Sequence, residues 1–258
     1  MRDRVTPVVL TGDEEANIGR TLAALAWAGD VVVVDSGSRD ATVEIARRFP
    51  NVRVVERALD TLAAQWTFAV AQAKTPWVLT LDADYFVTSA FVHELESLSL
   101  DAAGYEAQFL YAIGGKPLRA SLYTPRVVLL RRDRAEFYMD GHTQRVSVNG
   151  KIERLETKLV HDDRKPFSRF VARQRRYMRD EAEKLRLADA RALNVAGRIR
   201  KLIVVAPVAV LFHTLFVKGL LLDGVAGLRY TWERFVAELI LSRELLRRST
   251  EEQPRAKE

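Results

Sequence analysis

The 258-residue chain has no cysteine, which excludes a disulfide scaffold and a thiolate-held zinc. Its first residues, MRDRVTPVVLTGDEE, hold no long apolar segment and no cleavage-site pattern, so no secretory signal is expected. No internal repeat is visible, and no linker is long enough to cut out a second globular domain. The longest apolar stretch, LIVVAPVAVLFHTLFVKGLLL (202–222), is interrupted by Pro207, His213 and Lys218, so an uninterrupted membrane span is not expected. What the composition does supply is apolar residues at 48%, enough for a sizeable core, and a formal net charge of +6 with a pI near 9.6. A chain this basic favours an anionic partner: nucleic acid, anionic lipid or a phosphorylated substrate.

The first hundred residues alternate strand and helix. TPVVLTG (6–12), DVVVVDSGS (30–38), NVRVVE (51–56) and WVLTLDAD (77–84) read as strands. Segments 14–28, 40–49 and 60–73 carry helical spacing between them, with Ser38 or Asp40 available as a cap. Continuous apolar strands joined by helices indicate a parallel sheet covered on both faces. Residues 104–115 and 123–133 alternate, and Asn149-Gly150 between RVSV and KIERL is a hairpin signal. This middle region reads as a mixed or antiparallel extension of the same sheet. From 166 the chain reads as helical, ending in an amphipathic helix over 228–248 and a frayed tail. The expected division is a nucleotide-binding domain over 1–165, C-terminal amphipathic and apolar helices over 166–250, and a disordered tail over 251–258.

Acids gather where a ligand would sit. Asp82 and Asp84 end an apolar strand, and side chains alternate along a strand, so both should project to one side with Ala83 opposite. Asp35 ends a second strand, and Asp13, Glu14 and Glu15 follow a third. Open parallel sheets bind ligands beyond the carboxyl ends of their strands. Paired carboxylates repel and are costly to desolvate. A divalent cation, Mg2+ or Mn2+, bridging them to the oxygens of a diphosphate would offset that cost.

The run VVLTGDEEANIGRTLAALAWAGDVVVVDSGSRDATVEIA followed by PWVLTLDADY resembles the nucleotide-sugar half of family 2 glycosyltransferases. It is most similar to the branch that decorates lipopolysaccharide cores, and HDDRKPFSRFVARQRRYMRDEA and KGLLLDGVAGLRYTWERFV resemble that branch's C-terminal helices. The resemblance implies the GT-A fold, a Rossmann-like mixed and mainly parallel sheet flanked by helices, with a helical membrane-associating extension. It implies that Asp35 contacts the base or ribose, that Asp82 lies near ribose and metal, and that Asp84 binds the metal. Glu14 or Glu15 would line the nucleotide pocket, Gln65 would sit on a helix with donor contacts, and His161 would serve as metal ligand or diphosphate contact. One departure is Asp13, where the family usually has asparagine; Asp accepts a hydrogen bond but cannot donate one.

The implied reaction is inverting displacement at the anomeric carbon of a nucleotide sugar, which needs a general base on the acceptor side. Where the family carries His-Glu, this chain has His142-Thr143, so Asp140 and His142 are the candidates. Asp140-Gly141 also reads as a plain turn. Asp162 and Asp163 read as caps of the next helix, Arg126 and Lys116 as phosphate contacts or surface residues, and Trp66 as donor contact or core. The seven Lys/Arg between Arg164 and Arg179, beside the apolar stretch, point to lipid phosphates rather than nucleic acid. The expected acceptor is therefore a lipid-linked or lipopolysaccharide-type sugar. The expected place is the cytoplasmic face of the inner membrane, with peripheral or monotopic attachment. A dehalogenase-type phosphohydrolase, a nucleotidyltransferase and a degenerate transferase without turnover are the competing readings.

Overall fold

The computed structural model describes residues 1–140, 143–189, 191 and 193–252, with side chains described to Arg247. The chain divides into two compact units, one of Met1–Pro117 with Leu122–Lys165, the other of Leu118–Ser121 with the chain from Pro166 onward.

In the first unit, β1 (Val5–Thr11), β2 (Val31–Asp35), β3 (Val52–Glu56) and β4 (Trp77–Asp82) run parallel. They are joined through α1 (Ile18–Ala23), α2 (Thr42–Ala46) and α3 (Leu62–Ala71). Then come β5 (Tyr85–Phe86), α4 (Ser89–Ser97), β6 (Gly104–Ala107), β7 (Phe109–Ile113), β8 (Lys116–Pro117) and β9 (Arg126–Arg131). β10 (Ala135–Asp140), β11 (Thr143–Val148), β12 (Ile152–Arg154) and β13 (Leu159–His161) complete the unit. The main sheet has seven strands in the order β12-β6-β9-β4-β1-β2-β3, and only β9 runs against the rest.

The two-residue period of the central strands decides which helix covers which face. Val9, Val31, Val33, Leu79 and Leu81 face Ile18 and Leu22 of α1 and Phe91 and Leu95 of α4. Their neighbours Val8, Leu10, Val32, Val34 and Val78 face Trp66, Ala69 and Val70 of α3. Burial on both faces is why these strands read as unbroken apolar runs.

The expected helix over 14–28 shortens to α1, because residues 13–17 form a loop tied to the next one, as described below. The hairpin expected at Asn149-Gly150 does not form. β11 pairs instead with β10 in a separate two-stranded sheet, with Asp140 opposite Thr143, while β12 joins β6 in the main sheet. Asn149 N donates to the Arg134 carbonyl at 2.8 Å, ending the β10–β11 ladder. Gly150 then takes φ +132 where a Cβ would lie 2.8 Å from that of Ala103. The glycine is required by a close crossing between sheets rather than by a hairpin turn. The middle region is also not one extension of the main sheet, since β5, β13, β7 and β8 form a four-stranded sheet of their own.

The second unit is helical: α5 (Phe167–Leu187), α6 (Val195–Lys201), α7 (Val205–Phe212) continued by a π turn (His213–Val217), a 3₁₀ turn (Leu220–Asp223) and α8 (Gly224–Glu252). α5 and α8 pack through Met178, Ala182, Leu185 and Leu241. Along α5, Phe170, Gln174 and Met178 are buried, whereas Phe167 is exposed. Arg200 of α6 lies 2.7 Å from Glu238 and 3.4 Å from Glu181, a buried cluster that fastens α6 to α8 and α5. The backbone N–H and side chain of Arg119 donate to Asp223 at 3.0 and 2.8 Å, which is why residues 118–121 belong with this unit rather than with the 1–165 segment. α8 continues through Glu252, so helix replaces the start of the expected 251–258 tail; residues 253–258 lie outside the described chain.

Candidate active site

Because β2, β1 and β4 are adjacent and parallel, their carboxyl ends bring the three acidic segments to one edge. The first two are zipped together. Asp13, in the left-handed region at φ +55, donates its N–H to Ser38 Oγ at 2.9 Å and accepts from Arg39 N at 2.8 Å. Glu14 N donates to Thr42 Oγ1 at 2.7 Å, and Glu15 accepts from Ala41 N at 3.2 Å. An acceptor suffices at position 13 because its partner is a backbone N–H, so a side-chain amide is not needed for this contact.

Several residues expected to face the nucleotide are engaged in building this edge. Asp35 is 1% exposed and accepts from Gly37 N, Ser38 N and Ser38 Oγ at 2.9, 2.8 and 2.5 Å, closing its own loop. Gln65 is fully buried, accepting from Arg57 at 2.8 Å and donating to Ser36 Oγ and the Arg57 carbonyl. Glu15 holds the N-terminal loop of α2. Here Asp35, Gln65 and Glu15 shape the loops at this edge. Trp66 is core, stacked on Phe137 at 6.0 Å.

Glu14 is different. Its carboxylate sits in a buried ion pair with Lys165 and accepts from Asn17 Nδ2 at 2.8 Å. Burial and the nearby Asp84 raise its pKa from 4.5 to about 7 against the opposing pull of Lys165 and Asn17.

The segment after β4 is clamped from α1, where the Thr21 hydroxyl lies 2.6 Å from the Ala83 carbonyl and 2.9 Å from that of Tyr85. β4 ends at Asp82, so strand alternation does not carry through to Asp84. The two carboxylates consequently meet different surroundings. Asp82 is half-exposed with Arg126 at 3.9 Å. Asp84 is buried with its Oδ2 3.5 Å from His161 Nε2. Both still act on one group. Burial would favour neutral Arg126, but Tyr85, Tyr123, Asp82 and Asp84 hold it charged, well above its ordinary value. Burial and these same acids push the Tyr85 and Tyr123 hydroxyls upward, so both stay protonated hydrogen-bonding groups.

Strand register makes the aromatic wall. His161 pairs with Tyr85 on one side and Tyr111 on the other. Its ring stacks on Tyr111 at 4.6 Å and lies 4.8 Å from that of Tyr123, whose hydroxyl bonds to Tyr85. Arg126 rests over the Tyr123 ring at 5.0 Å.

Asp162 and Asp163 do not cap α5, whose N-cap is Pro166. Asp162 is buried between Arg20 at 2.5 Å and Arg164 at 2.9 Å, and Asp163 accepts from Asn17 at 3.1 Å. They fasten the chain after β13 to α1 and so fix His161 and Lys165 opposite Glu14 and Asp84.

The expected ligand set of Asp82, Asp84 and His161 is not assembled as a cage. Among the described residues no three His, Asp or Glu side chains converge as cation ligands, because Asp82 turns to Arg126 while Asp84 turns to His161. The donor set fits a cation only partly held by protein, with two carboxylates available and substrate oxygens completing the shell. Asp140 ends β10 opposite Thr143, 3.6 Å from Arg145; His142 lies outside the described residues. Asn17, Thr21, Tyr85, Tyr111, Tyr123 and Lys165 were not apparent from sequence. Only the position of Lys165 beside HDDR hinted at one of them.

A mixed, mainly parallel sheet with acids collected at the carboxyl ends of β1, β2 and β4 defines an α/β enzyme of the GT-A type. Residues 8–149 match the model of glycosyl transferase family 2, and the chain belongs to that family. It is 30% identical over 129 residues to the lipopolysaccharide core biosynthesis glycosyltransferase LpsC of Rhizobium meliloti, covering 47% of this chain and 46% of that one. It is 31% identical over 94 residues to the uncharacterized glycosyltransferase RT0209 of Rickettsia typhi, covering 36% and 32% of the two chains. The chain thus spans less than half the length of these relatives. Among solved structures it is similar to S. aureus TarS 1-349 in complex with UDP-GlcNAc, at a TM-score of 0.48 and 14% identity over 95% and 92% of the two chains. It is also similar to glucosyl-3-phosphoglycerate synthase of Mycobacterium tuberculosis in complex with phosphoglyceric acid, at 0.49 and 14% over 72% and 81%.

Proposed function

We propose that this glycosyltransferase moves a sugar, with inversion, from a nucleotide-sugar donor to a lipid-linked or lipopolysaccharide-type acceptor, using a divalent cation. The observation that carries the donor side is the convergence of Asp82, Asp84 and a permanently charged Arg126 at the edge where β1, β2 and β4 end. The acceptor class follows from the likeness to a lipopolysaccharide core enzyme and from the basic, apolar C-terminal unit.

In this reading the nucleotide lies over the rim formed by the 12–15 and 35–40 loops, and its diphosphate reaches toward Arg126. Asp84 and Asp82 would hold Mg2+ or Mn2+ jointly with the diphosphate, and the cation would supply stabilisation of the negative charge on the leaving phosphate oxygens. Arg126 adds charge that needs no proton rearrangement. His161, held between Tyr85 and Tyr111, fixes the side of Asp84. Glu14 and Lys165 close the far wall of the site. Acceptor deprotonation falls to Asp140, at the end of β10 with Arg145 3.6 Å away, or to His142.

Thermal-shift and transfer assays with UDP-, GDP-, ADP- and dTDP-sugars, with and without Mn2+, test this. One donor should give a cation-dependent shift that Asp84→Ala abolishes and Arg126→Met weakens. Transfer that persists in chelator after Asp84 is removed would refute the cation assignment. Release of pyrophosphate instead of nucleoside diphosphate would refute sugar transfer.

A further inference from the structure

One stretch of the second unit carries an exposed apolar surface. Along α7 and its π turn, Ala206 and Thr214 are buried, while Val204, Val208, Phe212 and Phe216, spaced four apart, face outward. On the next arm, Leu220, Ala226 and Tyr230 are buried, while Leu222, Val225 and Trp232 face outward, Val225 at 81% exposure. Large apolar side chains face outward over one continuous stretch, 202–232, while Leu220 and Tyr230 fill buried positions beside the small Ala206, Thr214 and Ala226. Such a surface far exceeds the single exposed apolar residues normal on a soluble protein.

Length and charge identify what covers it. Val205–Val217 is thirteen residues, about 20 Å of helix. That is short of the ~30 Å hydrocarbon core of a bilayer. The following arm leaves at a 70° bend. Gly219 at φ +67 and Gly224 at φ +60 make the break, and Lys218 sits beside it. A lysine at the bend opposes deep insertion tip-first but suits a shallow insert, where its stem lies among acyl chains and its ammonium reaches the headgroups. Of the six Lys/Arg between Val195 and Arg234, Arg200 pairs with Glu238 and Glu181 and Arg229 with Glu233, while the other acid, Asp223, pairs with Arg119; Arg198, Lys201, Lys218 and Arg234 supply the basic excess. The excess charge on and beside an apolar face matches anionic lipid headgroups.

We propose that residues 202–232 form a bent wedge that inserts into one leaflet of an anionic bilayer without crossing it. This surface takes a lipid monolayer rather than a second copy of the chain.

Vesicle binding needs no sugar donor, so its outcome is separable from that of the transfer assay. The full chain is floated with phosphatidylcholine vesicles containing about 30% phosphatidylglycerol, and with phosphatidylcholine alone. Binding should require the anionic lipid and weaken in high salt. Phe212→Ser with Phe216→Ser should weaken it by about tenfold or more, with unchanged circular dichroism. Trp232 emission should be quenched by lipids brominated near the headgroup more than by those brominated near the chain end, and Trp232→Phe should remove that signal. Failure to float, equal quenching at the bilayer centre, or a stable dimer in sedimentation that the serine substitutions dissociate would each overturn the proposal.

Discussion

Asp162→Asn probes whether the 161–165 segment is held by charge. The wild-type carboxylate is 2% exposed and meets Arg20 at 2.5 Å and Arg164 at 2.9 Å, while its own carbonyl accepts from Arg20 at 2.6 Å. Removing one partner of a fully buried pair costs about 3–5 kcal/mol. Arg20 and Arg164 are 22% and 45% exposed, so water recovers part of the loss and about 2–3 kcal/mol is expected. Burial works against this carboxylate, but the two arginines prevail and hold its pKa below the ordinary 3.8. A depressed carboxylate contributes stability that is full above its unfolded pKa and lost as pH falls through the folded one. The difference between wild type and variant should therefore be present at neutral pH and shrink below about pH 4. In a Trp232→Phe background the remaining tryptophans, Trp27, Trp66 and Trp77, all lie in this unit, so urea unfolding followed by their emission reads it directly. A cost under about 0.5 kcal/mol at pH 7, or one unchanged in acid, would refute the reasoning. A double-mutant cycle with Arg20→Met should show coupling of about 1 kcal/mol or more.

Glu14 should give the opposite slope: the folded state keeps its proton to about pH 7 and the unfolded chain releases it near 4.5, so stability falls between those values. Glu14→Gln should flatten that part of the urea-derived stability profile, and an unaltered slope would count against the buried placement. Leu81→Ala, at a fully buried position between α1 and α4, should cost about 2–5 kcal/mol in the same assay. Gly150→Ala should destabilise by about 1–3 kcal/mol, since it combines φ +132 with a 2.8 Å approach to Ala103, and a neutral result would place the crossing elsewhere.

Much of this protein follows from local pattern. The apolar runs ending at Thr11, Asp35 and Asp82 declare buried parallel strands, because only a sheet covered on both faces tolerates such runs. Parallel direction then sends all three acidic segments to one edge, so the place of the candidate site was legible in the sequence. The outward apolar face of 202–232 was legible in part, as a stretch too interrupted to span a bilayer. What each acid does was decided only by folding. Asp35 turned inward to close its loop and Asp82 met Arg126. Asp84 met a histidine 77 residues later in the chain, since His161 – Asp84 adjacency depends on β13 entering beside β5. Asn149-Gly150 misled for the same reason: a positive-φ glycine serves a turn or a close crossing equally well, and the partner strand lies far away in sequence. Periodicity records which face of an element is buried. Which charged groups meet across elements depends on strand order and register, and no local window contains them.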